Sequence, residues 1–278
     1  MRLFAKKPQI LLACFLGVIF QLFSVEFDNP YNHAGGERIT QFTVLGERCT
    51  GTNFVEHLVK QNINGLELTS RLGHKHFFRW IDLSEFSFPL NDDKSFLNDS
   101  DNCLGILIVR NVYDWVRSFY RKHCHADASL LELGFFEFMS EPWASNDYEL
   151  ARAIDSTNPY QGEPFKNVFE LRKFKTMNHL AIGKVMKNFV VVRYEDLLEA
   201  PEQFIEYISQ KFGLDVKLVF EPVVKYKGGK NKVFRKRKYR NFEKNEFEFL
   251  NNHVDWGFEK KIGYAPKKRS EVNSFFPF

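Results

Sequence analysis

The sequence predicts an α/β fold in which a central parallel sheet is flanked by helices. Three separate stretches carry this prediction, because each has the pattern of a strand followed by a loop and a helix. Strands that alternate with helices are typical of parallel sheets covered on both faces. The chain has 278 residues, of which 44% are hydrophobic, so it is long and apolar enough to bury one large core.

The first unit begins with "QFTVLG", residues 41–46, a short run of β-branched and aromatic residues that ends in glycine. This run predicts a strand. The segment "NFVEHLVKQ" follows after a loop and predicts a helix, since Phe54, Leu58 and Val59 recur at helical spacing. The unit is therefore a strand, a glycine-containing loop and a helix.

The second and third units repeat this order. In "LGILIVRNVYDWVRSFYRKH", residues 106–109 form a continuous apolar run, typical of a strand buried on both faces, and a helix is predicted to begin near Asp114. In "NFVVVRYEDLLEAPEQFIEYISQKFGL", a strand is predicted at residues 189–192, followed by a turn. The helix after that turn is predicted to run from about Pro201 to near Gly213.

Ligands of such sheets bind beyond the carboxyl ends of the strands. The candidate site residues are therefore the groups that follow each predicted strand, 48–53, 110–114 and 193–196. Within the last group, Glu195 and Asp196 are interpreted as structural acids and not as catalysts.

The loop after the first strand predicts an anion-binding site. Gly46 and Gly51 have the spacing of the nucleoside-triphosphate loop G-x-x-x-x-G-K-S/T, but Thr52 and Asn53 stand in place of the lysine and serine. The glycines allow close approach of the backbone to an anion, and the following helix adds the positive end of its dipole. Arg48 can supply the cation that the lysine would have supplied. The loop is therefore predicted to bind an anion other than a magnesium nucleoside triphosphate.

Together, "LGERCTGTN" and "VRNVYDWVRSFY" resemble the two phosphate-binding elements of sulfotransferases with the P-loop fold. Those enzymes transfer a sulfuryl group from 3′-phosphoadenosine 5′-phosphosulfate (PAPS) to a hydroxyl or amine. The second stretch is similar to the family's R-N-P-x-D followed by S-x-Y, with Val112 in place of the proline. The resemblance implies a P-loop-type three-layer fold, PAPS as co-substrate and no metal, which accounts for the missing lysine and serine.

The resemblance also implies which residues contact the donor. At its 5′ side these are Arg48, Cys49, Thr50, Gly51, Thr52 and Asn53, and at its 3′-phosphate they are Arg110 and Ser118. An arginine at a strand end and a serine two helical turns later can converge on one dianion. Without the resemblance, Arg110 would be interpreted as an ion-pair partner of Asp114.

Later stretches agree with the resemblance. "VVVRYEDLL" is similar to a segment that follows a core strand in the family, and "EKKIGY" resembles its usual C-terminal close. "YKGGKNK" implies that Lys227, Gly228 and Lys230 close over the 3′-phosphate, although its spacing departs from the usual R-K-G-x-x-G. Residues 130–185 carry no recognised motif and are predicted to form helices over the acceptor pocket.

The catalytic base is predicted in "LGHKHFF", which stands where many family members carry K-x-H-x-P. Sulfuryl transfer needs a base beside the acceptor and positive charge near the bridging oxygen. His76 is the first candidate for the base, His74 is the second, and Arg48 is the candidate for the positive group. Strand alternation would place Lys75 on the side opposite both histidines. Glu56 is an alternative base, and His123 and His125 are candidates for the acceptor pocket.

The first 30 residues form a segment of their own. Arg2, Lys6 and Lys7 precede a 16-residue apolar run at residues 10–25, which lies between the lengths of a signal peptide and a transmembrane helix. We interpret residues 1–30 as a cytoplasmic tip and an uncleaved signal anchor, with a cleaved signal peptide or a buried helix as alternatives. Residues 31–38 are then a linker, and residues 39–278 the sulfotransferase domain.

Positive charge before the apolar run keeps the N-terminus cytoplasmic. The expected protein is therefore a single-pass type II membrane protein that faces the Golgi lumen, if the chain is eukaryotic. A secreted enzyme and one associated with a bacterial inner membrane are the alternatives. The expected partners are an acceptor, which can be a glycan, a protein or a small molecule, and the membrane, but not nucleic acid.

Two other functions remain open from the sequence. One is a P-loop kinase with a degenerate loop, against which the missing lysine and hydroxyl stand. The other is a non-catalytic module that binds anions or nucleic acid through the basic run at residues 225–240, in a chain whose net charge is only +4.

Overall fold

The structure is a computed structural model that describes residues 38–70, 75, 76, 78, 101–123, 125–146, 155–225, 233, 234 and 238–273. Its strands are β1 (Gln41–Leu45), β2 (Glu67–Leu68), β3 (Cys103–Val109), β4 (Thr157–Asn158), β5 (Glu163–Pro164) and β6 (Phe189–Arg193). Four of them form a parallel sheet in the order β2, β1, β3, β6, while β4 and β5 form a separate antiparallel ribbon. The predicted central parallel sheet is confirmed.

Helices connect and surround these strands. In the described chain they are α1 (Thr52–Asn62), α2 (Val112–Lys122), α3 (Ala128–Leu131), α4 (Phe135–Ser140), α5 (Val168–Val185), α6 (Tyr194–Glu199), α7 (Pro201–Phe212), α8 (Lys244–His253), α9 (Trp256–Lys261) and α10 (Arg269–Asn273). The predicted helices over residues 130–185 thus correspond to α4 and α5, together with the end of α3, while residues 147–154 lie outside the described chain.

Helices pack on both faces of the sheet. On one face, Leu58 of α1 and Ile205 of α7 are buried in one cluster with Ile106 of β3. On the other face, Ile182 of α5 is buried with Leu107 of β3. Ile106 and Leu107 are neighbours in a strand and therefore point to opposite faces, so the predicted arrangement of a sheet flanked by helices is confirmed.

The carboxyl ends of three strands meet at one edge of the sheet. Leu45 of β1 is paired with Leu107 of β3, and Val109 of β3 is paired with Arg193 of β6. Because β2 lies on one side of β1 and β3 lies on the other, the strand order reverses between β1 and β3. Open parallel sheets bind ligands at such a switch point.

The start of α2 and both ends of α7 follow the sequence signals. α2 begins after Asn111, whose side chain accepts a hydrogen bond from the Asp114 backbone N–H at 2.8 Å. α7 begins at Pro201 and ends before Gly213, whose φ of 63° is in the left-handed region that favours glycine.

Two local predictions are wrong. The turn predicted after β6 is instead the short helix α6. Lys75 and His76 lie in a turn and not in a strand, because the Lys75 carbonyl accepts a hydrogen bond from the Gly46 N–H at 3.1 Å and is thereby held beside the loop that follows β1. Strand alternation therefore does not separate Lys75 from His76.

A third buried cluster is largely aromatic and lies between α2, α4 and α8. The ring centroid of Phe119 lies 6.0 Å from that of Phe138 and 5.3 Å from that of Trp143. All three side chains are fully buried. This cluster contains several of the 31 phenylalanines of the chain. It packs against α2 and thereby supports that helix.

No helix within the described ranges is long and apolar enough to cross a membrane. The apolar run at residues 10–25, interpreted as a signal anchor, lies outside these ranges.

Candidate functional site

A pocket opens at the switch point, between the loop that follows β1 and the helix α2. Its volume is about 290 Å³, near the lower end of the range for small-ligand sites. Eight of the residues that the resemblance assigns to donor binding or catalysis line it: Arg48, Cys49, Gly51, Thr52, Asn53, His76, Arg110 and Ser118. The fold thus brings together residues from three separated parts of the chain. Thr50 is buried and does not line the pocket.

The loop between β1 and α1 has its backbone carbonyls bound by the protein. Three successive carbonyls accept side-chain hydrogen bonds: Glu47 from Thr50 at 2.6 Å, Arg48 from Trp115 at 2.8 Å and Cys49 from Arg110 at 2.9 Å. A loop whose carbonyls are engaged in this way can present its N–H groups to an anion without repulsion from those oxygens.

The first turn of α1 adds further positive character to the pocket. Gly51 precedes this turn with a φ of 109°, and the turn carries no acidic residue. The first N–H groups of a helix have no partner within the helix, and the helix dipole places partial positive charge there. Thr52 and Asn53, the first two residues of α1, line the pocket. This end of α1 is therefore suited to an anion.

Two glycines of the loop are in close contact with neighbouring strands and helices. A Cβ atom at Gly51 would lie 2.4 Å from Cδ2 of Tyr194, and one at Gly46 would lie 2.7 Å from the carbonyl oxygen of Ile108. Both separations are too short for any side chain. The absence of a side chain at each position is what lets the loop pack against β3 and α6.

Arg48 belongs to a buried network of four charged side chains. Its guanidinium contacts Glu47 at 3.0 Å and also Asp155, while the ammonium of Lys175 contacts Glu47 at 3.0 Å and also Asp155. All four side chains are at most 2% exposed. The two carboxylates formally cancel the two cations, so Arg48 lines the pocket with a charge that is already compensated.

Burial and ion pairing act against each other in this network. Burial alone would raise the pKa of Glu47, but Lys175 and Arg48 lower its pKa overall. Burial alone would lower the pKa of Arg48, but Asp155 and Glu47 raise it. Both groups are therefore charged, and each charge is stabilised by its partners.

Arg110 is placed differently. Its guanidinium donates to the Cys49 carbonyl at 2.9 Å and to the Tyr239 hydroxyl at 3.0 Å, and it lies 4.5 Å above the ring of Tyr194. These three groups are uncharged. Its buried Nε has no hydrogen-bond partner within the described chain. Asp114, the ion-pair partner considered from the sequence, is paired with Arg117 at 2.7 Å, so Arg110 keeps a positive charge that no direct ion pair compensates among the described residues.

Helix α2 carries two further polar residues into the pocket. Ser118 is 3% exposed, and Lys122 lies one turn later on the same side of α2. Ser118 and Lys122 follow Arg110 by about two and three helical turns. They therefore add a hydroxyl and an ammonium to the side of the pocket on which Arg110 lies.

His76 lines the pocket, and its Nδ1 lies 2.7 Å from the Gly46 carbonyl oxygen. Because a carbonyl can only accept, Nδ1 carries the proton and Nε2 keeps its lone pair. Burial lowers the pKa of His76 well below its ordinary value of 6.5; the bond to Gly46 opposes this shift, and nearby cations including Arg48 add to it. His76 is therefore a neutral imidazole near pH 7, the form that a general base requires.

The other candidates for the base are placed as follows. Lys75 contacts Asn53 at 2.5 Å and Glu56 at 2.6 Å, so Glu56 is held in an ion pair at the first turns of α1. His125 lines the pocket in the left-handed region, with a φ of 62°, and burial lowers its pKa. His123 ends α2 and does not line the pocket.

Several predicted site residues lie outside the described ranges: His74, Lys227, Gly228 and Lys230. Lys225 and Val233, which flank the last three, form an antiparallel bridge. Lys225 also lines the pocket, so both ends of the glycine- and lysine-containing segment are held near it.

The acids that were interpreted as structural have structural contacts. Glu195 accepts hydrogen bonds from the Asn111 N–H at 3.1 Å and from the Tyr264 hydroxyl at 2.7 Å. Asp196 is paired with Arg193 at 2.6 Å. Through Glu195, the segment "RYEDLL" joins the start of α2 to the segment "EKKIGY".

Sequence reasoning gave no role to several lining residues: Phe54, His57, Lys122, Tyr194, Val223, Phe234 and Tyr239. Tyr194 was within a candidate group, and its position directly after β6 was a usable signal. Lys122 could have been found from its spacing of four residues from Ser118. Nothing local indicates Tyr239, which reaches Arg110 from 129 residues away.

The described lining carries four cationic side chains, Arg48, Arg110, Lys122 and Lys225, and no carboxylate. Within the described ranges, no group of three side chains suited to a metal ion is present. No protein-family model matches the chain, and a comparison with curated proteins gives no match either.

We expect Gly51→Ala to destabilise the protein by more than Gly162→Ala does. Both glycines have positive φ, but a Cβ at Gly162 meets nothing within 4 Å, whereas one at Gly51 meets the Tyr194 ring. The control therefore measures the conformational strain alone, about 1–2 kcal/mol. Urea unfolding of both variants measures the difference. Equal losses would show that the loop does not depend on its contact with Tyr194.

We expect Asp155→Asn to lower the free energy of unfolding by about 3–5 kcal/mol, because it leaves Arg48 and Lys175 buried with one carboxylate between them. The matched control is Asp101→Asn, which breaks the exposed pair of Asp101 with Lys187 and should cost at most about 1 kcal/mol. Chemical denaturation measures both. Equal effects would mean that the buried network adds no more stability than a surface pair.

Proposed function

We propose that the chain is a sulfotransferase with a P-loop-type fold that uses PAPS. The observation that carries this proposal is the convergence of the loop 48–53, Arg110, Ser118 and His76 on one pocket. These are the residues for which the sequence resemblance implies donor binding and catalysis. The order of the strands in the sheet brings these residues to one edge, whatever ligand the pocket binds.

The chemistry of the pocket favours an anionic ligand that needs no bridging metal. The described lining offers cations, a serine hydroxyl and the N-terminus of α1, but no carboxylate. A magnesium nucleoside triphosphate would need oxygen ligands for its metal, and Thr52 and Asn53 occupy the positions of the lysine and serine that such a loop uses. The kinase alternative is therefore less well supported.

Donor binding can be divided among the residues of the pocket. Arg110 and Ser118 are suited to the 3′-phosphate, because the uncompensated guanidinium and the buried hydroxyl lie on one wall. The backbone N–H groups of Gly51, Thr52 and Asn53 are suited to the 5′ side, whereas the Thr50 N–H already donates to the Glu47 carbonyl at 3.2 Å. Arg48 also lines the pocket, and its guanidinium has more N–H groups than its contacts with Glu47 and Asp155 use. When bound, PAPS supplies an activated sulfuryl group with a phosphate as leaving group.

His76 is the best-supported base. Its Nδ1–H is oriented by the Gly46 carbonyl, so Nε2 is the basic nitrogen of the ring and is the proposed acceptor of the proton from the acceptor hydroxyl or amine. Glu56 is less suitable, since it is engaged by Lys75. Lys75 lies at the first turns of α1, where its ammonium contacts both Asn53 and Glu56 and adds positive charge beside the loop.

The proposed acceptor is the hydroxyl or amine of a glycan, a protein or a small molecule. Residues 10–25 are proposed to act as a signal anchor. This anchor would place the domain in the Golgi lumen if the chain is eukaryotic. There PAPS and glycan or protein acceptors meet. Secretion or attachment to an inner membrane remains the alternative arrangement.

Titration calorimetry of the full chain with adenosine 3′,5′-bisphosphate, without magnesium, tests the donor site. We expect binding by the wild type and a loss of affinity of at least about 30-fold for Arg110→Ala, because a buried cation is removed from its anion. Lys173→Ala is the control, since it removes an exposed cation that is not in the pocket lining. Circular dichroism of each variant checks that the fold is intact.

The outcomes separate the candidate functions. Absence of binding by the folded wild type, with binding of ATP and magnesium instead, would overturn the proposal in favour of a kinase. Binding of single-stranded RNA that weakens steeply with salt, without binding of the bisphosphate, would favour a nucleic-acid module.

We expect His76→Asn to lower the rate of sulfuryl transfer by about 100-fold or more, with little change in bisphosphate affinity. Asparagine can keep a hydrogen bond to the Gly46 carbonyl but has no basic nitrogen. The rate is measured with radiolabelled PAPS and a panel of glycan, protein and small-molecule acceptors. His253→Asn, at an exposed histidine outside the pocket, is the control.

The pH dependence follows from the lowered pKa of His76. The imidazole stays neutral as the pH falls through 6.5, so the wild-type rate should fall only at lower pH. Between the folded pKa and 6.5 the unfolded chain binds more protons than the folded one, so the free energy of unfolding rises with pH in this window. A rate that already falls at pH 6.5 would contradict this assignment.

A further inference from the structure

The described chain exposes two consecutive aliphatic side chains on one turn. Leu218 and Val219 retain 104% and 74% of their reference accessible area. Single exposed aliphatic residues are ordinary, but two adjacent ones at the tip of a turn form an apolar apex. Neither residue lines the pocket, so the proposed reaction does not account for them.

This apex, defined as Leu218 and Val219, is anchored on both sides by Asn62. The fully buried Asn62 side chain accepts from the Glu221 N–H at 2.7 Å and donates to the Glu221 carbonyl at 2.9 Å. The Asn62 carbonyl accepts from the Lys217 N–H at 3.0 Å. Both flanks of the apex are thereby fixed to the end of α1, so its exposure is a property of an ordered turn.

The apex lies at the edge of the domain where the described chain begins. Arg38 is the first described residue, and its guanidinium lies beside Gly65. Asn64, the residue before Gly65, donates its backbone N–H to the Asp215 carbonyl at 2.8 Å. Asp215 is three residues before Leu218. The pocket is at the other edge of the sheet, where the strands have their carboxyl ends.

The sequence places an apolar segment close to this edge. Residues 26–37 separate the run at residues 10–25 from Arg38, and twelve residues span at most about 40 Å when extended. A membrane segment at residues 10–25 would thus keep this edge near the bilayer. The charges around it are mixed, with Arg38, Lys60, Lys211 and Lys217 against Glu67, Asp215 and Glu221, so attraction to anionic lipid is a minor contribution.

We propose that Leu218 and Val219 insert into the interfacial region of a lipid bilayer and hold the domain with its pocket facing away from the membrane. A narrow convex apex of two side chains suits insertion between lipids, whereas a stable protein interface buries at least about 1,000 Å². This insertion rests on the proposed membrane segment at residues 10–25 but does not depend on the reaction in the pocket.

The test uses the full chain in phosphatidylcholine vesicles, with an environment-sensitive fluorescent amino acid at position 218. Expected results are a blue shift of its emission and loss of most of its intensity when the lipids carry brominated acyl chains. The matched control has the same amino acid in place of Leu131, the exposed leucine of α3, and should show neither effect. Val219→Asp should reduce the quenching at position 218.

Each other outcome overturns the proposal in a distinguishable way. Emission at position 218 that equals that at position 131 would mean that the apex stays in water. Emission that is shifted but not quenched by brominated lipid would mean that protein covers the apex. If this unquenched shift grows with the protein-to-lipid ratio, a second copy of the chain covers the apex. If the unquenched shift does not depend on this ratio, residues 10–25 of the same chain cover it.

Discussion

The buried ion pairs among Glu47, Arg48, Asp155 and Lys175 are the constraint on which the loop depends. Desolvation penalises each of these charges, so the arrangement is stable only while all four are together. They connect the end of β1 to α5 and to the segment before the ribbon. Because Arg48 is fixed, its carbonyl oxygen accepts a hydrogen bond from the Trp115 ring N–H, and the Cys49 carbonyl accepts one from Arg110. The direction of the loop N–H groups is a consequence of this buried charge.

The two arginines of the site therefore have different tasks. Arg48 is bound on its own side by carboxylates and shapes the loop, whereas Arg110 is held by a carbonyl, a hydroxyl and a ring. Arg172 supports the same region, because it donates to the Arg110 carbonyl at 2.6 Å and is paired with Glu259 of α9. Helix α9 thus holds Arg110 and the start of α2 in place through Arg172.

The strands and the residues after them could be predicted from sequence because their signals are local. A continuous apolar run such as residues 106–109 of β3, or the glycine spacing of the loop, is visible without knowing the fold. The partners of Arg48 could not be predicted, since Asp155 is 107 residues away and no pattern marks it. Helix α6 was missed because six residues with two leading acids resemble a turn. The turn at Lys75 was missed because its contacts, with Gly46, Asn53 and Glu56, are made with residues that are distant in the sequence.

The ion pair of Lys75 limits how the loop could change during evolution. Its ammonium already lies against Asn53 and Glu56, at the end of the loop where a nucleoside-triphosphate site would place its own lysine. Replacing Thr52 by lysine would bury a second ammonium at a position that is 4% exposed. Replacing Asn53 by serine would remove one partner of the Lys75 ammonium. Conversion between the two kinds of loop therefore requires concerted changes in two segments of the chain.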